Sequence, residues 1–365
     1  MNDDERLERS LKSIGDAYVR DNPPDFPAFR EGVARRRRRR IWIQTGSALA
    51  FAGAAVVVGL FLTSSPTQVG KSLPPADLDQ KVSETVTVGG SPSQINVGHN
   101  AIWVTSRLPA GALTRIDPVT KEPTTIDLGG VPNDLAVGGT GAWIANTGDL
   151  QHVGLSGGAP KSYPIASPGA DMHVAISPGA VWIVVSGEAL FRVDPQHPGD
   201  ATEVTVTQNP VDIAVGDGVL WVLDQTGQIQ SFDARTEEPL GEAIAVSTGE
   251  NAEITLGAGA LWYGIRGDTA FTRIDTATGL ARAITLPSGY VDMGVGPDEI
   301  WVLMEGGADR GSLAPLEVAT GRVISDRIHE LSGAPIDVAV GRQALWIINT
   351  EGSRAQRVDK DELGS

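Results

Sequence analysis

Seven tryptophans stand at nearly constant intervals: Trp103, Trp143, Trp182, Trp221, Trp262, Trp301 and Trp346, with gaps of 40, 39, 39, 41, 39 and 45 residues. Each follows an apolar residue and most precede Val or Ile, as in Ile102-Trp103-Val104 and Leu220-Trp221-Val222. A fixed aromatic at a period near 40 marks a repeat architecture, in which one supersecondary unit recurs and buries its apolar faces on its neighbours.

Within each repeat the runs are short and bounded by turn residues, which argues for strands. In the second repeat, Asp134–Gly138, Ala142–Ala145, His152–Leu155 and Lys161–Ile165 read as four successive strands. Four-stranded units repeated radially are propeller blades. The first strand of every repeat alternates bulky residues, such as Leu135 and Val137, with small ones: Asn96, Ala136, Ala175, Ala214, Thr255, Gly294 and Ala339. That alternation suits the crowded strand nearest a propeller axis. The seventh repeat supplies only three strands before the chain stops at Ser365, while Glu84–Gly90 resembles the fourth strand of the other repeats. The predicted fold is therefore all-β: a seven-bladed β-propeller of four-stranded blades, with an N-terminal strand closing the last blade. Such closure removes exposed sheet edges.

The region before the repeats is of a different kind. Arg35–Arg40 is an unbroken basic run, followed by 23 residues without a charge, Ile41–Thr63. That length spans a bilayer core as a helix, and the positive-inside rule places the arginines in the cytoplasm. The apolar stretch is too long, and its basic flank too far from the start, for a cleaved signal peptide. The predicted organisation is a cytoplasmic tail (1–40), a transmembrane helix (41–63), a Pro-containing linker (64–81) and the propeller (82–365) outside the cytoplasm. In the tail, Leu7, Leu11, Ile14 and Tyr18 form an amphipathic stripe for a membrane surface or a cytosolic partner.

Charge narrows the partners. The chain carries a net −16; residues 1–40 are net positive, which leaves 18 Lys/Arg against 37 Asp/Glu in the remainder. So acidic a domain repels nucleic acid and anionic lipid. There is no cysteine, so disulfides and thiolate chemistry are excluded.

The candidate site lies nine residues before each tryptophan: Gln94, Asp134, His173, Asp212, Glu253, Asp292 and Asp337. These residues open the innermost strand and are expected to ring one mouth of the channel. Two readings are open. Recurring polar residues at strand starts often bond their own turns. Alternatively, converging carboxylates hold a ligand or a divalent cation, with Ca²⁺ or Mg²⁺ favoured by an oxygen-rich set. Gln94, His173 and Glu253 depart from the Asp rule. Loops after the second strands share that mouth, with Asn146, Asp149, His152, Asp224, Arg266 and Glu305 among them. The tryptophans are expected in the core between blades, and Asp117, Asp194, Asp233, Asp275 and Asp359 in turns. Gly154–Gly158 spells a nucleophile elbow, but in a hairpin rather than a strand-to-helix turn.

The phrases Pro210-Val211-Asp212-Ile213-Ala214-Val215-Gly216, Leu220-Trp221-Val222 and Ile274-Asp275-Thr276-Ala277-Thr278-Gly279 resemble those of the YVTN-repeat and streptogramin (virginiamycin B) lyase group of seven-bladed propellers, over about residues 84–361. The resemblance implies the fold. It also implies a metal-assisted lyase or lactonase as one function, although the lyases use histidines that do not map onto this chain; on the residues alone, the candidates for such chemistry are His173 as base and Glu253 with Asp212 as metal ligands. The leading expectation is a bacterial, single-pass membrane sensor or binding module. The alternatives are the tethered enzyme and a cell-envelope scaffold.

Overall fold

A computed structural model describes residues 76–363 except 109, 206–208, 297 and 308. The expected tail, transmembrane helix and linker up to residue 75 lie outside the described residues. Among the described residues, no helix is long and apolar enough to cross a membrane.

The described strands make seven antiparallel sheets, six of four strands and one to which a fifth is added. In the first blade these are Pro92–Gly98, Ala101–Ser106, Ala112–Ile116 and Pro123–Asp127, in that order from the inside. The innermost strands of blades two to seven are Pro132–Gly138, Met172–Ser177, Pro210–Gly216, Ala252–Gly257, Tyr290–Val295 and Pro335–Val340. The seventh blade takes its outer strand from the N-terminal side: Val82–Thr87 pairs antiparallel with Arg354–Asp359. The closure expected from the strand count is present.

The core is divided into seven apolar clusters, one at each junction between blades. Each combines the tryptophan of one blade with bulky residues of the next: Trp103 with Leu135 and Ile144, Trp182 with Ile213 and Val222, Trp346 with Ile95 and Val104. The same holds for Trp143, Trp221, Trp262 and Trp301. None of these seven indoles is more than 5% exposed.

Strand register explains the small residues better than taper does. Each is the cross-strand partner of its own blade's tryptophan, from Asn96↔Trp103 and Ala136↔Trp143 to Gly294↔Trp301 and Ala339↔Trp346. A large side chain opposite an indole would prevent the next blade from closing. At Gly294 a Cβ would stand 2.8 Å from the Val338 carbonyl oxygen of blade seven. The third strand covers the indole's other flank: Arg115, Arg192 and Arg273 lie 5.7–5.9 Å from the rings of Trp103, Trp182 and Trp262, within cation–π range.

The linker reading does not extend to its last six residues. Ala76–Asp77 adds a parallel fifth strand outside His329–Ser332 of blade six, and Leu78–Lys81 forms a 3₁₀ turn with Leu78 buried. The polar composition of 64–81 concealed the buried Leu78, which joins Trp301, Leu331 and Leu363 at the junction of blades six and seven.

Candidate functional site

The seven residues nine before the tryptophans do form a ring, and the innermost strands of blades one, five, six and seven enclose a small cavity that Asp337 lines. The ring residues share the tryptophan face of their strand, and that face turns toward the next blade. The aspartates consequently reach sideways. Asp134 Oδ2 accepts the Val174 N–H at 2.7 Å, Asp212 Oδ2 the Ile254 N–H at 2.7 Å, Asp292 Oδ2 the Val338 N–H at 2.9 Å and Asp337 Oδ2 the Ile95 N–H at 2.8 Å. In every case the amide belongs to the residue after the ring position of the following blade. The aspartates are interblade latches, a role neither sequence reading contained: the bond goes to the neighbouring blade, beyond the local turn.

The departures from aspartate follow the same hydrogen-bond logic. Gln94 and His173 present donors. Gln94 Nε2 donates to Asp134 Oδ1 at 2.7 Å. His173 Nδ1 lies 3.5 Å from Asp212 Oδ1 and 4.0 Å from Asp134 Oδ2. With no carboxylate arriving from the preceding blade, the amides of Leu135 and Ile213 donate to the residue before them, to Asp134 Oδ1 and Asp212 Oδ1, each at 2.8 Å. Buried amides are thereby satisfied at blades two and four by a second route. Glu253 accepts the Tyr290 hydroxyl at 2.7 Å.

Backbone irregularity sorts the ring in a second way. Five inner strands carry a register shift just before the ring residue, between Pro92/Gln94, Pro132/Asp134, Pro210/Asp212, Tyr290/Asp292 and Pro335/Asp337. A bulge re-aims the side chain that follows it, and proline, lacking an N–H, suits the strand's first position. Blades three and five run in unbroken register through His173 and Glu253. In their sequences Asp171 and Asn251 replace the proline. Tyr290, the partner of Glu253, was missed from sequence; its signal was that it too stands where four blades have proline.

The ring's two halves differ electrostatically. On one side Asp134 and Asp212 flank His173. Burial opposes the imidazolium, but the charges of Asp212, Asp134 and Asp171 outweigh it and raise the His173 pKa. Burial lifts Asp212 to about 6, with the His173 charge opposing. On the other side three carboxyls are neighbours. Burial, then the charge of Asp292, raises Glu253 to about 8, and burial with the same neighbour raises Asp337 well above the carboxylate range. Arg266, from a loop of blade five, reaches past blade six to donate to the Ile336 carbonyl oxygen at 3.2 Å.

These contacts already engage several of the oxygens that the expected cation site would use. The Oδ2 atoms of Asp134, Asp212, Asp292 and Asp337 face backbone amides of the next blade, and among the described residues no group of three or more His, Asp and Glu is arranged to hold a metal ion. His173 is held between two carboxylates that favour its charged form.

A cleft does open at this mouth. It has a volume of about 510 Å³ and runs from His173 across blades four and five. Three carboxylic side chains, Asp171, Asp224 and Glu250, line it together with His173, Asn251 and Tyr263; its lining contains no Lys or Arg. Of the loop residues singled out from sequence, Asp224 reaches this cleft. Arg266 lies over the ring instead. Asn146 is buried, donating toward the Leu128 carbonyl oxygen, and His152 stacks on Trp143 with 4.3 Å between ring centroids. The elbow-like Gly154–Gly158 sits at a hairpin, as expected.

No family model and no curated protein matches the chain. Among solved structures it is similar to the β-propeller domain of Myceliophteria thermophila Cps50 (Swd1), with a TM-score of 0.60 at 13% identity, covering 76% of this chain and 98% of that one. It is also similar to the computationally designed Ika8 protein, with a TM-score of 0.55 at 11% identity over 73% of this chain and 83% of that one. Likeness at such identity concerns the fold alone. The propeller implied by the resemblance to the streptogramin lyase group is present; membership of that group gains no support from the family comparison.

Proposed function

We propose that this protein is a membrane-tethered binding module whose propeller captures a cationic segment of a partner outside the cytoplasm. The carrying observation is the acidic cleft at the mouth, with Asp171, Asp224 and Glu250 in its lining and no Lys or Arg. Propellers commonly serve as platforms for proteins, and a cleft whose carboxylates outnumber its single imidazole steers a cationic partner, more strongly as salt falls. The anchor belongs to the same proposal. Its support is the charge-free stretch 41–63 behind Arg35–Arg40, and protease protection of the tail in sealed vesicles tests it.

The scaffold alternative has weaker support. The exposed large apolar residues Leu108, Val119, Val131, Leu240 and Leu280 are spread over blades one, two, four and five, and apolar residues scattered singly mark no interface.

Calorimetry of the full chain with a synthetic Lys/Arg-rich peptide tests the binding role. Affinity is expected to weaken about tenfold or more between low and physiological salt, and to weaken further in Asp224→Asn/Glu250→Gln. Equal affinity in that double variant refutes the cleft as the docking place.

A further inference from the structure

His329 is the least explained polar side chain in the fold. It lies on the outer strand of blade six, is 3% exposed, and neither ring nitrogen has a hydrogen-bond partner. Buried polar atoms are paired in the great majority of cases, so two orphaned nitrogens on one ring call for a physical reason. The imidazole shares a strand face with Leu331, two residues on, and so points into the junction of blades six and seven. Its ring centroid is 6.4 Å from that of Trp301.

The N-terminal segment covers this position. Ala76 pairs with His329 and Asp77 with Glu330 in the parallel fifth strand. Leu78 is buried among Trp301, Leu331 and Leu363. Asp79 Oδ1 accepts the Ser332 N–H at 3.1 Å, and Lys81 Nζ donates to the Glu362 carbonyl oxygen at 2.7 Å. The segment thus ties blade six to the C-terminal 3₁₀ turn before the chain enters blade seven as Val82–Thr87.

The charged groups on the packed elements are unfavourable to an imidazolium. Lys81 on the segment and Arg327 beside the strand both repel it, after burial itself, and together they depress the His329 pKa to about 4. The carboxylates are engaged elsewhere: Asp77 caps Asp79 and binds Gln80, Asp79 holds Ser332, and Glu330 pairs with Arg310 at 3.4 Å. Glu362 presents its backbone carbonyl to Lys81.

We propose that Ala76–Lys81 is an acid-released clasp: protonation of the buried His329 imidazole expels this segment from the edge of blade six, while Val82–Thr87 keeps the ring closed. The released residues would add about 20 Å of extended chain at ~3.3 Å per residue. In combination with the proposed anchor, which this consequence requires, acidification lengthens the tether without opening the propeller.

The sign follows from the linkage. The ordinary histidine value of 6.5 applies to the released state and about 4 to the docked state. Docking is therefore fully favoured above 6.5 and weakens as pH falls toward 4, tenfold per unit, or about 300-fold in total. Hydrogen–deuterium exchange of the full chain, corrected for the intrinsic pH dependence of exchange, reads this directly. Peptides covering 76–81 are expected to lose protection about 40-fold between pH 6.5 and 4.5, with Arg354–Asp359 still protected. In His329→Phe, which keeps an aromatic of similar size without a titrating group, the loss is absent. The proposal is overturned if wild-type 76–81 stays protected at pH 4, if all blades lose protection together, or if His329→Phe releases the segment at the same pH. The wild-type titration alone decides the matter if the variant does not fold.

Discussion

Asp134 illustrates how a residue that looks like a ligand becomes framework. It accepts from the Val174 and Leu135 amides and from Gln94 Nε2, so both carboxylate oxygens face donors. Asp134→Asn must turn an NH₂ toward one of them, and unfolding in denaturant is expected to show a loss of about 1–3 kcal/mol. Glu253 predicts the opposite behaviour. Its folded pKa, about 8 against an ordinary 4.5, is raised, so the folded state holds its proton more tightly than the unfolded one. Its contribution is largest below 4.5 and is lost as pH rises through 8. Glu253→Gln keeps an acceptor for Tyr290 and removes the ionisation. The variant is expected to match wild type at pH 5 and exceed its melting temperature at pH 9; identical pH profiles would contradict the assignment.

The blade shows what was legible in the sequence and what was not. Strand count, blade boundaries and the tryptophan packing were all readable, because a repeat states the same constraint seven times. The direction of the ring side chains was not readable. Alternation put Asp134 and Ala136 on one face, but only the bulge after Pro132 and the neighbouring strand show that Asp134 reaches an amide of the next blade. The extra strand at Ala76 was hidden for a different reason: two residues and one buried leucine carry no periodicity. These two N-terminal elements are predicted to differ in weight. Removing residues through Pro75 is expected to leave the cooperative unfolding transition of the propeller unchanged. Removing residues through Thr87 exposes the Arg354–Asp359 edge and a gap at the ring's seam, and is expected to yield aggregating protein without that transition, as light scattering and calorimetry would show.

At the scale of the whole molecule, seven similar junctions make a closed ring in which no blade is terminal. The cores lie between blades, so each sheet is stabilised by its neighbours and closure is completed by the last junction to form. Ser83 bonds the Arg357 carbonyl across 274 residues of chain. That separation has a meaning during synthesis. At roughly 5–20 residues per second, the strand that seals the ring leaves the ribosome about 15–55 seconds before its partner exists. For that interval Val82–Thr87 is an unpaired strand, of which only Val86 becomes buried at closure, and its Ser, Glu and Thr residues keep the waiting segment polar. The seam that makes the finished ring resistant to edge pairing is thus the place where a nascent chain is most exposed to pairing with another copy.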